Sequence, residues 1–282
     1  QVTLPGQIKL DAHVFSDKGL ITFDKLNIAA PFANADIAGT TESIKYSAAA
    51  NLTQLQEQLG QFVSFGKYKM AGQFDSTGNV SIKKEKITTT GTAAIKDLRL
   101  SSTEGITAVE PAAKIDFDAA YEPEKKIVAI DSLTAVAGFG RLTVKDAIVP
   151  SDKDAAVPMK LDASAENIDL AKLQPFMVLF AAFPKDLQLA GIAASQLSVS
   201  SKKDTYRVTT DSTSIKNLKV AYPGKPPFEQ PQVLLMLDAE INPVLQTLAV
   251  KKLHLTSPQI KIKGTFEKTI EADTGKIDGQ AS

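Results

Sequence analysis

The sequence predicts a mainly β protein: repeated antiparallel β-meander units with one short amphipathic helix each, forming an elongated curved sheet or groove. Three observations lead there. Apolar and polar residues alternate with period two over most of the 282 residues. Two stretches switch to helical spacing. The chain also repeats itself: Asn51 answers Asn167, Gly72 answers Gly191 and Ile95 answers Ile215, at offsets of 116, 119 and 120 residues.

Residues 1–43 read as the last strands of a preceding unit. Lys25-Leu26-Asn27-Ile28, Pro31 and Ala35 to Thr40 match Lys252-Leu253-His254-Leu255, Pro258 and Lys261 to Thr265. The first full unit spans 44–155. Its helical stripe is Leu52, Leu55, Leu59, Phe62 and Val63, with Asn51 as N-cap and Gln54 three residues on, so a helix is expected from Asn51 to Phe65. Tyr68, Met70, Gly72 and Phe74 then share one strand face, and Ser76-Thr77-Gly78-Asn79 reads as a turn before Val80 and Ile82. Ile115, Phe117, Ala119 and Tyr121 alternate with Asp116 and Asp118, and Glu122-Pro123-Glu124-Lys125 is a hairpin signal.

The second unit spans 156–270, and residues 271–282 are left as a tail. Its helix is expected from Asn167 to Phe183 and is apolar nearly all round, through Phe176, Met177, Leu179, Phe180 and Phe183. Leu235, Leu237, Ala239 and Ile241 repeat the alternation, and Asn242-Pro243 repeats the hairpin signal. Connections this short require antiparallel pairing, with five or six strands per helix.

Such a sheet has one apolar face and one face rich in Lys, Asp and Thr. Two short helices cannot cover a dozen or more strands. The sheet therefore either closes on itself or stays a trough filled by a ligand. Ile115, Phe117, Tyr121, Leu235, Leu237 and Ile241 are the expected liners of that trough. The second helix needs a partner for its extra apolar side, which can be the neighbouring sheet, a membrane surface or lipid. Phe176, Met177 and Phe180 are expected to form a lid over the groove at the junction between units, in contact with its cargo.

Composition narrows the function classes. Lys plus Arg and Asp plus Glu both number 32, and the pI is near 7.0, which leaves no basic surplus for nucleic acid. There is no Cys and no Trp, and there are only two His, His13 and His254, 241 positions apart. Both His sit in strand-like alternation, so neither a Ser-His-Asp arrangement nor a metal site is expected. Asp116 and Asp118 point to one face, but the second unit has Met236 and Asp238 there, which favours a solvated surface. Gly138-Phe139-Gly140 lacks a following helix and is no dinucleotide loop. No enzyme activity and no cofactor are expected.

The unit of one short helix and about five antiparallel strands resembles the AsmA-like family, which includes the TamB- and YhdP-type repeating β-groove lipid-transfer proteins. The resemblance rests on Leu26 to Thr40, Leu133 to Ala147 and Leu253 to Thr265, on the strands Ile95 to Leu100 and Ile215 to Val220, and on the helices after Asn51 and Asn167. It implies a non-catalytic periplasmic part of an envelope protein, conducting phospholipid or other acyl lipids toward the outer membrane. It also implies an inner-membrane anchor N-terminal to this sequence, which opens on Gln1. Other envelope partners are left open. The competing reading is a structural or adhesive surface protein whose repeated β-domains have closed, dry cores.

Overall fold

The computed structural model describes residues 7–60, 66–152, 157–180, 183–268 and 273–281. Phe62 and Val63 of the expected first-helix stripe lie outside the described residues. The chain opens with β1 (Lys9–Asp17), β2 (Leu20–Ala30) and β3 (Ala33–Thr40). It continues with β4 (Ser43–Asn51), α1 (Leu52–Leu59), β5 (Tyr68–Ile82), β6 (Ile87–Ser102), β7 (Thr107–Glu122), β8 (Ile127–Ala137) and β9 (Gly140–Pro150). The same order returns as β10 (Lys160–Asp169), α2 (Leu170–Phe180), β11 (Gln188–Lys202), β12 (Thr205–Ala221), β13 (Phe228–Asn242), β14 (Thr247–Thr256) and β15 (Ile260–Lys268). A last strand, β16 (Asp273–Ala281), pairs with β15 in the stretch the sequence left as a tail.

Among the described residues, all sixteen strands form one antiparallel sheet in sequential order. The sheet is curled and unclosed, and β1 and β16 are its two edges. Each strand pairs antiparallel with the next, so residues directly opposite each other share a face. That rule carries one row of side chains through the whole sheet. It runs from Leu10 through Ile28, Ala35, Ala48, Ser76 and Ala93 to Ile115. It continues through Ala135, Leu142, Ala165, Ser195 and Thr213 to Leu235, Leu255 and Ile262. A second row on the same face joins Val14, Phe23, Gly39, Ile44, Val80, Thr89, Ala119, Ile130 and Ala147. Both rows are apolar or small. The opposite face reads Asp11, Asn27, Asp36, Ser47, Thr77, Thr92 and Asp116 along one such row.

The duplication is visible in the backbone. Gly72 and Gly191 adopt φ of 131° and 132°, Asp97 and Asn217 φ of 53° and 51°, and the turn residues Lys126 and Gln246 φ of 54° and 51°. Asp and Asn are among the few residues with a side chain that tolerate this left-handed region. The Gly72/Asp97 and Gly191/Asn217 pairs sit where the β5–β6 and β11–β12 registers skip, and such bulges bend strands and add twist.

Three local expectations change. Ser76-Thr77-Gly78-Asn79 is not a turn; it lies inside β5, paired to β4 and β6. Gly78 is crowded by backbone and by the Tyr46 ring: a Cβ would run into the Thr90 carbonyl oxygen and come within 2.8 Å of that ring. The second helix starts later than expected, at Leu170, and does not include Phe183, while the expected end of the first helix, residues 61–65, lies outside the described residues. Asn51 does cap α1, accepting from the Gln54 N–H at 3.0 Å. The cap of α2, however, is Asp169, which accepts from Ala171 and Lys172 at 3.1 and 3.2 Å, whereas Asn167 sits at a bulge with φ of 53°.

Each helix also closes an open strand edge. The first residues of β5 extend beyond the part that β4 pairs, Gln73 to Val80. The Gln56 side chain on α1 takes the missing neighbour's place, donating to the Tyr68 carbonyl at 2.6 Å and accepting from the Met70 N–H at 2.7 Å. Gln174 on α2 does the same for β11, donating to the Leu187 carbonyl at 2.5 Å and accepting from the Leu189 N–H at 2.7 Å. A primary amide reproduces the donor–acceptor spacing of a strand edge, which spares two buried backbone groups.

The accessible surface is 17748 Å² for 30.1 kDa. A compact monomer of this mass exposes about 11,700 Å². The excess is what a single-layer sheet with both faces open requires. Small-angle scattering should therefore give a radius of gyration well above the ~19 Å of a compact chain of this length; a value at or below it would contradict the open sheet. Gln56→Ala and Gln174→Ala should each cost about 1–3 kcal/mol in urea denaturation and add in the double variant. A loss below about 0.5 kcal/mol would mean the clamps are ornamental.

Candidate functional site

The feature that stands out is the apolar face itself. The expected liners Ile115, Phe117 and Tyr121 on β7 fall on it together, as do Leu235, Leu237 and Ile241 on β13, because their odd positions keep one parity along each strand. Ile115, Tyr121 and Ile241 remain 38%, 37% and 42% exposed, which a closed core would not allow. Phe117, Leu235 and Leu237 are half-buried. Among the described residues only nine apolar side chains are buried, four of them alanines, including Ala108, Ala120 and Ala147. Small residues keep the floor low: the Phe117 ring lies across Gly91, as Tyr46 lies across Gly78.

Hydroxyls interrupt this lining in the second unit, and they satisfy one another. Ser195 and Thr213 are 2.6 Å apart, and Thr210 and Thr213 are 2.8 Å apart. With their hydrogen bonds met internally, they present mainly methyl and methylene surface to whatever lies above.

The second helix lies at the junction between the units. β5, β6 and β7 run 15, 16 and 16 residues, while β8 and β9 run 11 each, so the ends of β5–β7 project beyond their neighbours as a lip. α2 fills the notch, touching β7 as well as β10 and β11. The Tyr68 hydroxyl donates to the Leu179 carbonyl at 2.9 Å, and the Phe180 ring tilts against Tyr68 with centroids 5.4 Å apart. Phe176 packs on Phe139 of the β8–β9 turn at 5.5 Å, and the Lys172 ammonium donates to the Gly138 carbonyl at 3.2 Å. Lys185 bridges to Glu104 on the lip and holds its carboxyl below the usual range. The extra apolar side of α2 thus meets the neighbouring unit. Leu179 is buried, Met177 is half-buried and Phe180 is 60% exposed.

The polar candidates are spread over the opposite face. His13 pairs with Asp24 at 3.0 Å on exposed strands, while His254 lies on β14 across the ladder from Met236. Asp116 is bridged by Lys114 at 2.8 Å. Arg207 grips Asp238 with two hydrogen bonds of 2.9 and 2.7 Å, which lowers the Asp238 carboxyl below its ordinary value. Gly138 and Phe139 form the β8–β9 turn, where Glu110, almost fully buried, accepts from the Gly138 N–H at 2.8 Å. Among the described residues, no group of three or more His, Cys, Asp or Glu is placed to hold a metal ion, and no helix is long and apolar enough to cross a membrane.

The sequence reading missed Gln56, Gln174 and Glu110. The two glutamines carried a signal, since each is the fifth residue of its helix. Comparison with protein-family models, with curated proteins and with solved structures finds no match.

If α2 joins the two units as described, Leu179→Ala should cost about 2–3 kcal/mol in thermal or urea denaturation, and Phe180→Ala less than about 1. Equal costs would mean the helix is seated differently.

Proposed function

We propose that the apolar face is a lipid-binding groove, and that this chain is a non-catalytic segment which binds phospholipid or other acyl lipids and passes them along its length. The observation that carries the reading is the continuous face of apolar and small side chains on a sheet that, among the described residues, no second layer covers. Bulky side chains left 37–42% exposed cost free energy in water. An acyl chain laid across them recovers about 0.8 kcal/mol for each methylene it buries, so two long chains gain well over ~10 kcal/mol gross.

Such a site holds its cargo by partition. Successive strands offer near-equivalent apolar surface, so no position is much deeper than the next and a chain can slide along the rows. The headgroup stays in water at the strand ends. Phe176, Met177 and Phe180 stand beside the groove at the unit junction, where the cargo would pass them. Resemblance of the repeat to AsmA-like proteins extends the proposal to a periplasmic setting, with attachment to the inner membrane by chain outside this sequence and transport toward the outer membrane.

Lipid extraction and native mass spectrometry after gentle purification test the reading. The expected result is co-purifying phospholipid, reduced at least ~3-fold in Ile115→Asp and Leu235→Asp variants whose circular dichroism is unchanged. A lipid-free protein that also fails to take up a fluorescent phospholipid would overturn it.

A further inference from the structure

We propose that the outer, polar face of the second unit carries a docking site for a protein segment that presents an apolar side chain flanked by Lys or Arg. The site is separate from the apolar groove and does not depend on it. Two adjoining depressions, of about 340 and 510 Å³, share Ser164, Glu166, Gln196 and Asp211 in their linings. Register puts them on the polar face: Thr143 opposes Ser164, Ser164 opposes Gln196 and Gln196 opposes Ser212.

One end is apolar where that face should be charged. Leu234 and Met236 line the smaller depression and are 46% and 40% exposed. The first unit has Lys114 and Asp116 at the matching positions, joined as an ion pair at 2.8 Å. Only the second unit has exchanged a solvated pair for two exposed apolar side chains on one strand. A β-bulge adds to the difference. The β12–β13 register skips between Thr210 and Thr213, whose hydroxyls meet on the apolar side, so that Asp211 and Ser212 are both turned outward beside Met236. Bulges are a means of re-aiming side chains next to sites.

Charge complementarity selects the occupant. Glu166 and Asp211 line the depressions together with Asp162, which lies opposite Lys145 in the ladder, while Arg141 lies opposite Glu166. Asp162 takes the Ser198 hydroxyl at 2.6 Å and is bridged by Lys160 at 3.5 Å, so the surplus rests on Glu166 and Asp211, which form no ion pair among the described residues. Phosphate-bearing ligands, including phospholipid headgroups, are repelled by this surplus of carboxylates. A cationic segment is attracted to it, its apolar residue sits on Leu234 and Met236, and Ser212, Gln196 and Ser164 are placed to hydrogen-bond its backbone. A depression this open suits a stretch of partner chain laid across the surface, since small-molecule sites enclose most of their ligand.

The test is fluorescence anisotropy with a labelled peptide, Gly-Lys-Phe-Lys-Leu-Lys-Gly, titrated to about 1 mM at low salt. Saturable binding that weakens with salt is expected. It should fall at least ~10-fold in Leu234→Lys/Met236→Asp, which installs the first unit's own residues, and in Glu166→Gln/Asp211→Asn. The Ile115→Asp variant should bind as the parent does, and the Leu234→Lys/Met236→Asp variant should keep its lipid content, so that this proposal and the groove stand or fall separately. Absence of saturable binding, binding by either double variant as tight as the parent's, equal binding of the peptide with Glu in place of Lys, or loss of binding in Ile115→Asp would each overturn it.

Discussion

Each strand of this protein takes its facing from the strand before it. Direct opposition in an antiparallel ladder places paired residues on one side, so apolar parity set at Leu10 passes through every ladder to Ile262. A one-residue slip in any ladder would turn all later strands inside out. The register skips do not break this rule. At the β12–β13 bulge, Thr210 and Thr213 both stay on the apolar side, because two residues are turned outward together. The sheet can therefore bend repeatedly without losing the distinction between its faces.

A sheet with one apolar face and no second layer is an unusual thing to leave in water. Its backbone is satisfied by the ladders and, at the free ends of β5 and β11, by Gln56 and Gln174. Its side chains are not satisfied in the same sense, since Ile115, Tyr121 and Ile241 keep over a third of their surface exposed. The inner ladders are thus closed in their backbone hydrogen bonding while the apolar face is incomplete in its burial, which is the condition under which a ligand contributes to the core. The helices do not remedy this. α2 spends its apolar side on Tyr68, Phe139 and the lip of the first unit, tying the units together at one end of the strands and leaving most of the face uncovered.

Much of this was legible in the sequence because it depends on periodicity. Ile115, Phe117 and Tyr121 could be placed on one face from spacing alone, and the duplication located both helices and the hairpins at Pro123 and Pro243. What failed depended on the third dimension. Gly78 looked like a turn because Gly in a polar run punctuates chains, whereas here it makes room for the Tyr46 ring three residues into a neighbouring ladder. The second helix was placed from Asn167 because that residue aligned with Asn51, but a bulge there moves the cap to Asp169. The left-handed positions Asp97 and Asn217 gave no local warning. Leu234 and Met236 were visible as a break in the polar pattern, yet only the bulge at Asp211 and the depression beside them give that break a meaning.

The central claim is that the two faces of one strand meet different materials, lipid on one side and water or protein on the other. Site-specific photo-cross-linking tests it directly, with a benzophenone amino acid placed in turn at Phe117 and Leu237 on the apolar face and at Asp116 and Asp238 on the polar face. In cells, the account predicts adducts with the mass of phospholipid at Phe117 and Leu237 and none at Asp116 or Asp238. Adducts of equal yield on both faces, or no lipid adduct at Phe117 and Leu237, would contradict it.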